Sequence, residues 1–217
     1  MRFAALALLA LPALAMAAPS SKRENWGKEK EHDDMHDHKE YDDHHEDKHH
    51  EKELVKGVFH FTSTYTAWAG PDQVINNSQV AVPGEPGAYG VYKFGINADE
   101  DLICYNISVY ISGDYQSPAV TATHIHEAVR GRAGPPRIAF PNPTGDSPLT
   151  EQGWRTSYGC LQGPFETGVL ANGTDTAEGF TLAQIEANPA GFFADVHTVA
   201  FPAGAIRGQI QLDESAY

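Results

Sequence analysis

The chain from residue 54 onward alternates short apolar runs with clusters of glycine and proline. Its clearest run is 102–111, where Ile103, Ile107 and Ile111 share one side of an extended backbone and polar residues occupy the other. Short runs of β-branched and aromatic residues bounded by turn residues predict strands at 58–65, 89–96, 102–111, 120–127, 137–140, 191–198 and 206–212. Many short strands between turn signals predict an all-β fold, a sandwich or a barrel, of which we expect an antiparallel β-sandwich.

One short helix interrupts this pattern. Residues 182–187 have helical character, Thr181 stands at the N-cap position, and Asn188-Pro189 provides a stop. We expect the domain to occupy 54–217 with this single helix.

The N-terminus has the features of a secretory signal peptide. Arg2 precedes an apolar run over 3–14, and Ala15-Met16-Ala17 is a small-x-small cleavage signal. Residues 1–18 are therefore predicted to be removed, and the mature protein to be secreted. Lys22-Arg23 is either a dibasic processing site or two basic residues in a tail.

Residues 19–53 form an acidic, histidine-rich segment that we predict to be disordered. Residues 22–53 carry seven basic and thirteen acidic residues and almost no apolar ones, so they cannot bury a core. The segment is either a solvated spacer or a loose array for capturing divalent metals, because neutral imidazole binds copper and zinc. The weak tail ligands would be His32, His36, His38, His44, His45, His49 and His50.

Charge and composition exclude several classes of protein. The formal net charge of −14 disfavours nucleic-acid binding, and no apolar run after the N-terminus is long enough for a membrane span. The signatures of a serine nucleophile elbow and of a phosphate-binding loop are absent.

Export also bears on the cysteines and on three glycosylation sequons. Cys104 and Cys160 are the only cysteines, so we expect one disulfide, two buried thiols being the alternative.

The sequons begin at Asn76, Asn106 and Asn172. Asn106 lies within a predicted strand, which is acceptable only if that strand face is solvated.

Three histidines on predicted strands are candidate metal ligands. His124 and His126 are separated by one residue, so both imidazoles project from the same face while Ile125 faces the core. His197 lies on a later strand, and Arg207 follows in the closing strand. The alternative is structural: satisfied strand histidines, His197 bonded to the turn near Pro202, and Arg207 paired with Asp195 or Glu127.

These segments resemble the chordin-type (CHRD) domain family over about 55–212. The resemblance rests on Thr121-Ala122-Thr123-His124-Ile125-His126 with the turn and strand that follow, on residues 191–198, and on Phe201-Pro202-Ala203-Gly204-Ala205-Ile206-Arg207-Gly208-Gln209-Ile210. It implies an extracellular β-sandwich module. In chordin such modules are associated with growth-factor binding, but the cysteine-rich repeats that accompany them there are missing from this chain.

A second resemblance is to the copper-binding strand of copper/zinc superoxide dismutases. His124-Ile125-His126-Glu127 is similar to their His-x-His-Glu strand, and a fourth copper ligand would have to come from His60. The resemblance implies a superoxide dismutase-like β-sandwich of the Greek-key type. It also implies a redox copper with Arg207 guiding the anionic substrate.

Three functions follow from the sequence. The leading hypothesis is a secreted, non-enzymatic CHRD protein with a histidine-based copper or zinc site and a metal-capturing tail. The first alternative is a copper-dependent dismutase-like enzyme at the same histidines. The second is a matrix or cell-wall module without metal, whose partner is an extracellular protein or glycan.

Overall fold

The computed structural model describes residues 60–214, which form an antiparallel β domain with one short helix. The predicted signal peptide and the acidic segment lie outside the described residues. The strands are β1 (Ser63–Ala69), β2 (Tyr89–Asn97), β3 (Leu102–Ile111), β4 (Thr123–Glu127), β5 (Pro136–Phe140), β6 (Gly153–Gln162), β7 (Leu170–Ala171), β8 (Thr174–Asp175), β9 (Phe192–Val196) and β10 (Ile206–Leu212). Helix α1 spans Ala183–Ala187.

Eight of the strands form one continuous antiparallel sheet in the order β5-β4-β9-β10-β1-β2-β3-β6, and β7 pairs with β8 separately. The sheet curls so that β5 packs on β2 and β3, although these strands are far apart in the sheet order. The Phe140 ring lies 5.6 Å from that of Phe94 and 4.8 Å from that of Tyr105. The all-β antiparallel prediction is confirmed. The two layers of the expected sandwich are the two halves of one curled sheet.

Strands with regular apolar alternation are found where the sequence predicts them. β3 and β10 have the expected bounds, and Ile103, Ile107 and Ile111 are fully buried on the core side of β3. The first strand begins at Ser63, later than predicted, and continues to Ala69.

Strand β6 was not predicted from the sequence. Its core-facing positions include Arg155 and Ser157, and its apolar Trp154 and Tyr158 face outward, so its pattern is the reverse of the usual one. Tertiary contacts offset part of the cost of burying Arg155, whose Nη2 has no hydrogen-bond partner among the described residues. Its Nη1 donates to the Gly113 carbonyl oxygen over 2.8 Å, and its guanidinium lies over the Tyr115 ring.

The helix begins one residue later than predicted, and the proposed Thr181 cap is wrong. The N-cap residue is Leu182, with no capping bond from its own side chain. Asp101 from the β2–β3 turn takes over part of this role, since its carboxylate accepts the Leu182 backbone N–H over 2.8 Å. The predicted stop is confirmed: Asn188 is the C-cap and Pro189 begins a 3₁₀ turn.

A disulfide joins Cys104 to Cys160, as predicted. The two residues are directly opposite each other on β3 and the edge strand β6. The bridge closes a loop with a sequence separation of 56, so it restricts the unfolded chain substantially.

We expect the double variant Cys104→Ser/Cys160→Ser to lose about 2–4 kcal/mol of unfolding free energy, because its unfolded chain regains that loop entropy. Urea unfolding monitored by tryptophan fluorescence measures the loss. Adding a reductant to the wild-type chain should reproduce the loss and leave the variant unchanged. Equal stability of the oxidised wild type and the variant would contradict the expectation.

The three sequon asparagines differ in exposure. Asn106 is exposed on the outer face of β3, so that strand face is solvated, and Asn172 is exposed in the turn between β7 and β8. Asn76 is half-buried, and its side-chain oxygen accepts the backbone N–H groups of Ser78 and Val80. Across residues 60–214, no helix has the length and apolar character needed to cross a membrane.

Candidate metal centre

Strand β4 presents two histidines on the face opposite the hydrophobic core. Side chains alternate along a strand, so Ile125 is fully buried in the core and its neighbours His124 and His126 project together from the other face. Their ring centroids are 5.2 Å apart. The local pattern that predicted this arrangement from sequence therefore describes β4 correctly.

The neighbouring strand β9 adds an aspartate, and the residue directly after its end adds a third histidine. Asp195 lies directly opposite His124 in the antiparallel register of β4 and β9. His197 follows Asp195 by two residues, and its ring centroid is 5.3 Å from that of His124. Strand β4 supplies one pair of residues separated by one position, β9 and the residue after it supply another, and antiparallel pairing brings the two pairs together. We call the resulting group the His/Asp cluster: His124, His126, Asp195 and His197.

The His/Asp cluster is centred on the Asp195 carboxylate. Its Oδ1 lies 3.5 Å from His124 Nδ1 and 3.3 Å from His126 Nε2, and its Oδ2 lies 3.1 Å from His197 Nε2. One ligand atom from each residue lies within 4.8 Å of all the others. The Asp195 side chain is only 4% exposed, so water does not solvate this carboxylate effectively.

Each imidazole is held from behind by a backbone carbonyl. His124 Nε2 lies 2.7 Å from the Thr121 oxygen, and His126 Nδ1 lies 2.8 Å from that of Gly134. His197 Nδ1 lies 3.0 Å from the oxygen of Pro202, so the expected contact with that turn is confirmed. A carbonyl oxygen can only accept, so each outer ring nitrogen carries the proton and donates.

When all three imidazoles are neutral, no ring N–H points toward the centre of the cluster. A neutral imidazole has one N–H, and the backbone carbonyls take all three, so the inner nitrogens present lone pairs toward a carboxylate. His124 Nδ1, His126 Nε2 and Asp195 Oδ1 are buried and have no hydrogen-bond partner among the described residues. Extra protons or a metal ion would satisfy these atoms, and the group could hold a metal.

The pKa values in the cluster are coupled through Asp195. Burial alone would raise the pKa of the Asp195 carboxyl, but the His126 and His197 imidazoles beside it hold that pKa well below its usual range. Burial lowers the pKa of His124 more than Asp195 raises it. For His197 the balance is reversed, because Asp195 and the Pro202 carbonyl outweigh burial and its pKa is raised.

A cavity of about 570 Å³ opens over the histidines. All three imidazoles contribute to its lining, together with the prolines and small residues of the surrounding turns, such as Pro118, Pro135 and Pro202. The cavity gives an ion a route to the cluster, which a binding site on partly buried side chains requires.

Arg207 lies on the same face but does not pair as the sequence suggested. It is opposite Asp195 in the β9–β10 register, yet its guanidinium packs over the Phe193 ring at 3.5 Å and its Nη2 donates to the Val129 carbonyl. Glu127 binds Arg137 instead. Burial lowers the pKa of Arg207 to about 10. Phe193 also stacks on His126, so one ring connects the arginine to the cluster.

The sequence-based ligand set thus comes together in part. The structure groups His124, His126 and His197, and it does not bring His60 into the group. The fourth member, Asp195, is missing from the sequence-based ligand set, where it appears only as a partner for Arg207. Its spacing from His197 matches that of His124 from His126, which was a usable signal for a ligand.

Comparison with known proteins identifies the family. A family model described as CHRD domain matches residues 73–210. The chain belongs to the CHRD-domain family. No curated protein and no solved structure matches it. Every member of the His/Asp cluster lies within the matched part of this CHRD domain.

Proposed function

We propose that this CHRD-domain protein is secreted, is not an enzyme, and binds one zinc ion in the His/Asp cluster. The observation that carries the proposal is that one inner nitrogen from each of three imidazoles faces the same buried carboxylate, and that three of these inward-facing atoms have no hydrogen-bond partner among the described residues. A divalent cation at their centre satisfies all four residues at once.

The donor set of three imidazole nitrogens and one carboxylate oxygen suits a four-coordinate zinc ion. Zinc bonds of about 2.0–2.1 Å to nitrogen and oxygen place the corners of a tetrahedron about 3.3–3.4 Å apart. Asp195 Oδ1 lies 3.5 and 3.3 Å from the inner nitrogens of His124 and His126, close to such an edge, and all four ligand atoms lie within 4.8 Å of one another. Copper(II) prefers a flatter, tetragonal arrangement. A backbone carbonyl accepts the outer N–H of each imidazole, and such hydrogen bonds fix the orientation of metal-binding histidines.

Two features support a binding role without catalysis. Four protein ligands complete a tetrahedral zinc site, whereas catalytic zinc keeps a position for water. Arg207 is only 3% exposed and packs on Phe193, so it is poorly placed to collect anions for a dismutase-like reaction.

Secretion and the histidine-rich tail complete the proposal. The signal-like N-terminus and the Cys104–Cys160 disulfide both fit an oxidising exterior. The seven tail histidines would collect metal weakly, and the cluster would retain it tightly because its ligands are already oriented.

Elemental mass spectrometry of the full secreted chain tests the site. After exposure to equal zinc and copper and removal of loose metal with a mild chelator, we expect about one zinc per chain. His126→Ala should lose it because one of four ligands is gone, whereas His60→Ala, a histidine outside the cluster, should keep it. Equal metal in both variants would place binding in the tail and reject the site. Copper instead of zinc would reject the proposed metal and make the dismutase assay necessary.

Zinc affinity is expected to fall by about 100-fold or more between pH 7.5 and 5.5, because a zinc-bound imidazole must first lose its inner proton. The raised pKa of His197 means that protons compete with zinc for this residue at a higher pH than for an ordinary imidazole, and the lowered pKa of His124 moves proton competition there to a lower pH. Asp195 stays ionised throughout, since its pKa lies well below the usual range. Competition titration with a chromophoric chelator measures the trend, and a flat profile would contradict ligation by histidine.

A further inference from the structure

The exposed aromatic side chains of the described domain all lie on one sheet face. Within residues 60–214, the tyrosines and tryptophans with high exposure are Trp68, Tyr89, Trp154 and Tyr158, at 62%, 47%, 48% and 80%. Each points outward from β1, β2 or β6, on the side of the sheet away from the core. Large exposed apolar groups gathered on one face indicate an interaction surface.

Three of the rings form a continuous row across neighbouring strands. Tyr89, Tyr110 and Trp154 are directly opposite one another in the registers of β2, β3 and β6. The Tyr89 ring centroid is 5.5 Å from that of Tyr110 and 5.2 Å from that of Trp154. Trp68 on β1 lies beside this row, since its partner Val91 is two residues from Tyr89. We call Trp68, Tyr89, Tyr110 and Trp154 the aromatic row.

The aromatic row is bordered by uncharged polar groups. Along β1, β2, β3 and β6 the outward positions are otherwise hydroxyl, amide, disulfide or aliphatic, and Lys93 is their one charged side chain. Thr66, Ser108 and Thr156 flank the rings. A neutral face is unusual on a chain with a net charge of −14, so the partner that fits it is also uncharged.

We propose that the aromatic row binds a neutral polysaccharide of the extracellular surroundings. Sugar rings carry apolar C–H faces that stack on tyrosine and tryptophan, and their hydroxyl groups bond to threonine, serine and asparagine side chains. Four adjacent strands at about 4.8 Å spacing give the row a length of about 14 Å, enough for a short oligosaccharide segment. The acidic segment at 22–53 fits poorly, because it has almost no apolar residues.

Retention on insoluble polysaccharides tests this binding. The full secreted chain is mixed with cellulose, with chitin and with an insoluble β-1,3-glucan, and the bound fraction is measured over a range of polysaccharide amounts. We expect retention on at least one polymer, little changed by 0.5 M salt because no charges take part. Tyr89→Ala/Trp154→Ala should weaken it by at least about tenfold. Leu170→Ala, which removes an exposed apolar side chain elsewhere, should leave retention unchanged.

The remaining outcomes overturn the proposal. These are no retention on any of the three polymers, or equal retention of the double variant when its thermal midpoint matches that of the wild type. Retention that appears only after enzymatic removal of N-glycans would make a glycan on Asn106, opposite Tyr158, the occupant of this face. A wild-type dimer that the double variant converts to monomers would make a second copy the occupant. Metal content should not change in either variant, so this test is independent of the zinc site.

Discussion

Asp195→Asn is expected to weaken zinc binding by at least about 100-fold. Loss of a residue that only orients a metal ligand weakens binding by about 10- to 100-fold, and Asp195 would bind the metal directly. Asp195 supplies the only negative charge in the His/Asp cluster and contacts all three histidines. Asparagine preserves size and one carbonyl oxygen, so the variant removes charge with little change in packing. Zinc will then no longer be held against a chelator of moderate strength.

The same substitution should remove most of the stabilisation that zinc confers. Free zinc at about 1,000 times its dissociation constant stabilises a native site by about 4 kcal/mol. We expect a zinc-dependent rise in thermal midpoint for the wild type and at most about a third of that rise for Asp195→Asn, measured by calorimetry with and without zinc. Glu127→Gln is the matched control, because it removes a carboxylate on β4 that binds Arg137 rather than the cluster. Normal zinc stabilisation in Asp195→Asn would refute the cluster as the site.

Phe140→Ala is expected to cost about 3–5 kcal/mol of unfolding free energy. The side chain is fully buried on β5 and touches Phe94 and Tyr105, so it joins the two halves of the curled sheet. Its removal leaves a cavity at the contact that closes the fold. Chemical denaturation followed by circular dichroism measures the change.

The matched control is Tyr158→Ala, which truncates an aromatic side chain that is 80% exposed. We expect a change within about 0.5 kcal/mol, as for most surface substitutions. Comparable losses in the two variants would mean that Phe140 does not connect the sheet halves as described.

Much of the fold could be predicted because its strands carry a local signal. The alternation along β3 comes from one face packing on the core, so burial is encoded in neighbouring residues. Strand β6 carries the opposite pattern, since Arg155 is buried beside Tyr115 and Trp154 is exposed in the aromatic row. Its burial depends on partners distant in sequence, which local periodicity does not reveal.

The candidate site shows the same division. The shared direction of His124 and His126 follows from the two-residue period of a strand. The role of Asp195 depends on which strand pairs with β4 and in which register. A shift of one residue in the β4–β9 pairing would turn Asp195 away from His124.

By itself, the sequence determined the all-β class, the CHRD resemblance, the cysteine pair and three of the four cluster residues, because each depends on spacing or composition within short segments. The tertiary structure alone decided that one sheet curls on itself, that Asp195 completes the cluster, and that exposed aromatic residues from separate strands form one row. These features arise from long-range strand pairing. Its register depends on the packing of the whole sheet rather than on any single segment.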